Sequence, residues 1–209
     1  MVKFAELTLI VSPILLFIFG SHLFGDLIVN SPMVVTPVFS ALIFIWQLAA
    51  YSLAYNQFAQ AKKLPLERSS FATKLFLVLG LAVFSHVMAV LMGAPLTEQI
   101  LETFVWSAMV SCLLSPSILC LLEADSDNWL RVMLCGKHGD NPCQRLVYLQ
   151  TYGLAIGAWA SCFTIPLDWD RPWQKWPIPL IIGSLLGFCI GSVLNCVINL
   201  KETKVAKIY

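Results

Sequence analysis

Charge is scarce in this sequence: Asp, Glu, Lys and Arg make up 12% of its 209 residues. Ordinary soluble domains carry about a quarter. So little polar surface cannot cover a globule of this size, which argues against a soluble enzyme, a secreted disulfide scaffold and a disordered chain. Net charge is as thin, +1 at neutral pH, and gives no bulk attraction to nucleic acid. An Asn-x-Ser/Thr acceptor is missing, and the tail Lys204-Val-Ala-Lys207-Ile-Tyr209 matches no retention address. What fills the space is hydrocarbon. Hydrophobic residues make up 58% and the mean hydropathy is +0.79. That is the composition of an integral membrane protein.

A metal site is also hard to assemble. Of the seven cysteines, Cys112, Cys120, Cys162, Cys189 and Cys196 fall in apolar runs, where cysteine acts as a small hydrophobe. Cys135, His138 and Cys143 share a polar loop, but zinc takes about four ligands and no fourth soft ligand is near. An ordinary loop is the expectation, with no metal and no cofactor.

A bilayer core takes roughly 20 apolar residues per helix. Six stretches qualify, at about residues 7–23, 33–55, 75–92, 104–122, 147–167 and 177–200. Short spacers make this a single all-α bundle over residues 1–209 with neighbouring antiparallel helices. The first run has no small-x-small cleavage site at its end and is long for a signal peptide, so a retained span is expected. Loop charge then orients the chain. Lys3, Lys62, Lys63, Arg68, Lys74, Arg131, Lys137, Arg145, Lys201, Lys204 and Lys207 fall on the side of the termini, and only Arg171 and Lys175 on the other. Eleven against two places both termini in the cytosol.

Inside the spans ionisable groups are nearly absent, whereas pumps and transporters need them. His86 is the clear exception; a neutral imidazole bonded to a neighbouring hydroxyl or carbonyl explains it more simply than a proton relay. Pro116, in Leu114-Ser-Pro-Ser117, interrupts the fourth span, as a packing kink or as the wall of a lipid groove. The last two spans carry small residues at every fourth position: Gly153, Gly157 and Ser161, then Gly183, Gly187 and Gly191, continued by Asn195 and Asn199. Residues four apart share a helix face, and small ones let backbones approach closely. Either the two helices pack on each other or one row faces another protein.

The loop between those spans reads Ile165-Pro-Leu-Asp168-Trp169-Asp170-Arg171-Pro-Trp173-Gln-Lys-Trp176-Pro-Ile178. Three prolines stiffen it, and Trp169, Trp173 and Trp176 suit the interfacial belt. Arg171 is available to pair with Asp168 or Asp170. Two readings remain: a rigid cap at headgroup depth, or a docking surface for a partner or lipid headgroup.

Gly157-Ala-Trp159 followed by that loop resembles the signature of the phosphatidylinositol-glycan class F (PIG-F) proteins. Gly93-Ala-Pro-Leu96 with Glu98 and Leu101-Glu102-Thr-Phe104, and Trp129-Leu-Arg-Val132 after Cys120-Leu-Leu122, agree with it. The resemblance runs from the third span to the sixth; the first two spans match only in hydropathy. Thr164 departs from the proline expected there and loosens the start of the motif.

The resemblance implies a multi-pass subunit of the endoplasmic reticulum machinery that builds glycosylphosphatidylinositol (GPI) anchors. Family members bind and stabilise large ethanolamine phosphate transferases, whose lumenal phosphatase-like domain and metal site perform the transfer. The residues agree independently on one point. Phosphoryl transfer needs an activated nucleophile or base and cations around the phosphate. The far side offers Asp26, Glu98, Glu102, Asp168, Asp170, Arg171 and Lys175, without a loop cysteine or a histidine beyond His22. The expectation is a non-catalytic partner subunit. Gly153, Gly157, Trp159, Gly183, Gly187, Gly191 and the Trp/Pro loop would dock the transferase, with Glu98 and Glu102 beside them. Membrane lipid, the GPI precursor included, is a second expected contact. The rivals are a small membrane enzyme and a lipid-handling protein, scramblase or transporter, acting on the GPI precursor.

Overall fold

The computed structural model describes residues 27–62, 70–95, 97–121 and 142–205. The expected first span, Cys135 and His138 lie outside them. Five long helices follow in order: α1 Pro32–Lys62, α2 Phe71–Leu91, α3 Ile100–Leu121, α4 Pro142–Cys162 and α5 Ile178–Val205. A single 3₁₀ turn, Pro172–Gln174, interrupts the connection between α4 and α5. No strand occurs among the described residues.

Proline sets several starts. Pro32 and Pro142 open α1 and α4, and Pro179 lies in the first turn of α5. In that turn the missing N–H has no intrahelical partner to lose. At the start of α3, Glu102 lies in the first turn, where the helix dipole favours an anion.

Four described helices are long and apolar enough to cross a membrane: Pro32–Leu53, Phe71–Leu91, Ile100–Leu121 and Ile178–Glu202. α4 falls short on composition because it carries Gln144, Arg145, Gln150 and Thr151. It also begins five residues before the expected span at Val147 and ends at Cys162, five short of Leu167. The outward faces are apolar throughout. α2 shows Phe71, Phe76 (76% exposed), Leu79, Val83 and Leu91 to its surroundings. Soluble monomers rarely expose such a surface, whereas a helix apolar on every side suits lipid. The chain is a membrane protein.

The helices form two groups. α3 is the centre of the first, with α1 and α2 packed along it, while α4 and α5 pack closely on each other. Backbone approach between the groups is sparse, so side chains carry the connection at three depths. Trp176 Nε1 donates to Thr103 Oγ1 at 3.1 Å, Trp106 Nε1 to Ser184 Oγ at 3.0 Å, and Gln150 Nε2 to the Tyr51 hydroxyl at 2.9 Å. The Trp106 and Gln150 bonds are buried, where such a bond weighs more than it would at a surface. Met109, Leu113, Ile118 and Tyr51 fill the first group, and Leu146, Ile181 and Phe188 the second. α3 runs unbroken through the buried Pro116, and Ser117 Oγ donates to the Leu114 carbonyl at 2.9 Å in the same turn.

Candidate docking surface

The two rows of small residues meet each other. A Cβ placed on Gly157 would strike the Gly183 carbonyl and lie 3.0 Å from the Gly187 Cα. One placed on Gly187 would strike the Gly153 carbonyl, and one on Gly191 the Leu149 carbonyl. Gly183 faces the Gly157 carbonyl and the Ser161 side chain. The antiparallel helices are therefore in backbone contact, which only glycine allows. The sequence expectation that these rows dock a partner is corrected here: the faces are covered by the chain itself.

The same seam continues into polar residues. One turn-spaced row on α4 runs Arg145, Leu149, Gly153, Gly157, Ser161, opposite Gly191, Asn195 and Asn199 on α5. Arg145 is 6% exposed. Its Nε donates to Asn195 Oδ1 at 3.2 Å, its Nη2 to Asn199 Oδ1, and Nη1 and Nη2 to Glu202 at 2.6 and 2.9 Å. A guanidinium presents this fork rigidly, and all its partners lie on one stripe of α5. Arg145, expected among the loop charges, is instead a helix residue folded against the neighbouring helix. This is the one ion pair among the described residues.

At the other end of the seam, α4 and α5 lead into the Trp/Pro loop. Gln174, unremarkable in the sequence, braces it from within. Its Nε2 donates to the Thr164 and Leu167 carbonyls at 2.8 and 2.7 Å, and its Oε1 accepts the Arg171 N–H at 2.8 Å. The signal for it was its place at the end of the Pro172–Gln174 turn, where a side-chain amide can reach back to the preceding backbone. Trp176 anchors the loop to α3 through Thr103, and Trp173 packs partly buried against the core.

The remaining loop groups turn outward. Trp169 is 57% exposed, its ring edge-on to Trp173 at 6.0 Å. Asp168, Asp170 and Arg171 are exposed, and the anticipated pairing of Arg171 with either aspartate does not form. Asp170 takes φ +46°, a left-handed position that aspartate tolerates better than most residues. Trp159, also exposed, stacks edge-on with Phe163 at 4.9 Å on the outward face of α4. Glu98 is exposed and Glu102 half-buried beside Thr103, at the same end of the bundle. The structure thus separates the sequence-expected residues into a buried glycine seam and an exposed aromatic and acidic rim.

Reactive groups do not converge. No cluster of three or more His, Cys, Asp or Glu able to hold a metal occurs among the described residues. His86 lies edge-on to Phe104 at 6.2 Å, and its Nδ1 is buried without the hydroxyl or carbonyl partner expected of it.

Against that geometry, the model of the GPI biosynthesis protein family Pig-F matches residues 7–196. The chain belongs to that family. PIG-F relatives include a mouse protein named "GPI ethanolamine phosphate transferase, stabilizing subunit", 39% identical over 111 residues. The match covers 53% of this chain and 50% of the mouse protein; the human protein of the same name matches equally, at 39% over 111 residues. A Candida glabrata relative, "Glycosylphosphatidylinositol anchor biosynthesis protein 11", is 33% identical over 132 residues, 62% of this chain and 52% of its own. The chain spans about half the length of the curated relatives it matches. No solved structure matches it.

Proposed function

We propose that the chain is a non-catalytic, stabilising subunit of a GPI ethanolamine phosphate transferase in the endoplasmic reticulum membrane. Its relatives' names motivate the reading, and one observation carries it here: a loop made rigid from inside, by Gln174 and Trp176, that presents Trp169, Asp168, Asp170 and Arg171 to the outside. Exposed aromatic and arginine side chains on a pre-ordered backbone make strong protein contacts, because little conformational freedom is lost on binding. Trp159, Glu98 and Glu102 extend this surface. Gly153, Gly157, Gly183, Gly187 and Gly191 serve it indirectly, by fixing the spacing of the two helices from which the loop springs.

In this reading residues 1–209 form one six-span domain with both termini cytosolic, following the basic residues. The docking loop then faces the lumen, where a partner's phosphatase-like domain would lie. Chemistry belongs to that partner.

Affinity purification of the tagged chain in mild detergent, followed by mass spectrometry of the associated membrane proteins, tests the proposal. A large ethanolamine phosphate transferase should be recovered with it. Turnover of a phosphoethanolamine donor by the purified chain alone would overturn it in favour of a small membrane enzyme.

A further inference from the structure

Between α2 and α4, with α3 as its floor, lies a groove of about 660 Å³, well inside the size range of ligand sites. Apart from Gln99 at the mouth, its polar side chains already have partners. Ser85 Oγ donates to the Leu81 carbonyl, Thr151 Oγ1 to the Val147 carbonyl, and the Trp106 and Trp176 indoles to Ser184 and Thr103. Such a lining holds water and polar solutes poorly. Phe84, Met92 and Trp159, on its two walls, are all more than half exposed. The groove therefore opens sideways, toward the acyl region.

Its dimensions select the occupant. The lining runs from Leu81 along α2 to its capping residue Met92, and from Thr151 to Cys162 on α4. At 1.5 Å rise per residue each wall is about 16 Å long, close to half of the ~30 Å hydrocarbon core. That is the depth of one leaflet. A helix 10–12 Å across would fill the volume in about one and a half turns, far short of a span. A single hydrocarbon chain fits.

Charges of both signs lie close in the chain to the residues of the mouth. Gln99 and Trp176 line it, flanked in the chain by Glu98 and Glu102 on one side and by Lys175 and Arg171 on the other; Glu98, Lys175 and Arg171 are exposed and Glu102 half-buried. Carboxylates beside cations complement a headgroup with a phosphodiester and a terminal cation better than a purely anionic one.

We propose that this groove binds one acyl chain of a zwitterionic glycerophospholipid, in the leaflet next to the Trp/Pro loop. The site belongs to this chain alone and does not depend on the transferase partnership.

The test is native mass spectrometry of the full chain released from nanodiscs of equal parts phosphatidylethanolamine, phosphatidylcholine and phosphatidylglycerol with matched acyl chains. About one phospholipid per chain should be retained, enriched in the two zwitterionic lipids over phosphatidylglycerol. Ala155→Trp, at an exposed groove position, should lower occupancy about tenfold by excluding chain methylenes. Ile156→Trp, on the outward face beyond the lining, should leave occupancy unchanged. Glu98→Gln with Glu102→Gln should keep the lipid and lose the headgroup preference, which tests the site even if Ala155→Trp fails to fold. Equal occupancy in wild type and a folded Ala155→Trp would mean annular lipid and overturn the proposal. Preference for phosphatidylglycerol, or a photo-crosslinker at Ala155 capturing protein in place of lipid, would overturn it as well.

Discussion

Two glutamines in the bundle show how little a residue's name fixes its worth. Gln150 is fully buried, and its Nε2 donates to the Tyr51 hydroxyl at 2.9 Å and to Ser192 Oγ at 3.0 Å. Gln47, as deeply buried on α1, has neither amide atom bonded. A buried polar group without a partner carries the full cost of leaving water, whereas removing a used partner strands others. Gln47→Met, close in shape and unbranched, should therefore hold or raise the unfolding temperature in detergent. Gln150→Met should lower stability by about 1–3 kcal/mol. Hydropathy shows both as interruptions of an apolar run; only the neighbours tell them apart. Gln174 belongs to the same class, because its three bonds depend on how the loop folds back.

At the scale of helices, periodicity was legible and its partner was not. The four-residue spacing of Gly183, Gly187 and Gly191 marks a close-approach face, but spacing defines a stripe and says nothing of what meets it. Gly153 and Gly157 stand in antiparallel register with that stripe, so internal packing takes it. Gly187→Ala should destabilise the isolated chain by about 1–3 kcal/mol, because the new methyl meets the Gly153 backbone carbonyl, which cannot rotate away. Thermal unfolding of the purified subunit checks this; loss of partner binding without loss of stability would return the stripe to the surface. The start of α4 was misplaced for a related reason. Counting apolar residues begins a span after Arg145, yet α4 buries that arginine because Asn195, Asn199 and Glu202 wait fifty or more residues later in the chain.

At the scale of the whole molecule, composition pointed to the class, and the distinctive loop text already resembled the family whose model the chain matches. The division into two helix groups, joined at three depths by Trp176, Trp106 and Gln150, was not readable, since each bond pairs residues at least 73 positions apart. That division gives the surface its form. The glycine seam and the Arg145 fork hold α4 to α5, the seam sets the spacing of the loop's two ends, and the braced loop carries its exposed groups to the rim. A docking residue on such a scaffold should matter for partnership and not for folding. The most direct measurement is the yield of the co-purified transferase with Trp169→Ala relative to wild type, at matched expression and with the unfolding temperature of each subunit recorded. The expected result is a loss of binding of about 2 kcal/mol or more, roughly thirtyfold, with subunit stability changed by less than about 0.5 kcal/mol. Full transferase recovery with Trp169→Ala would contradict the account.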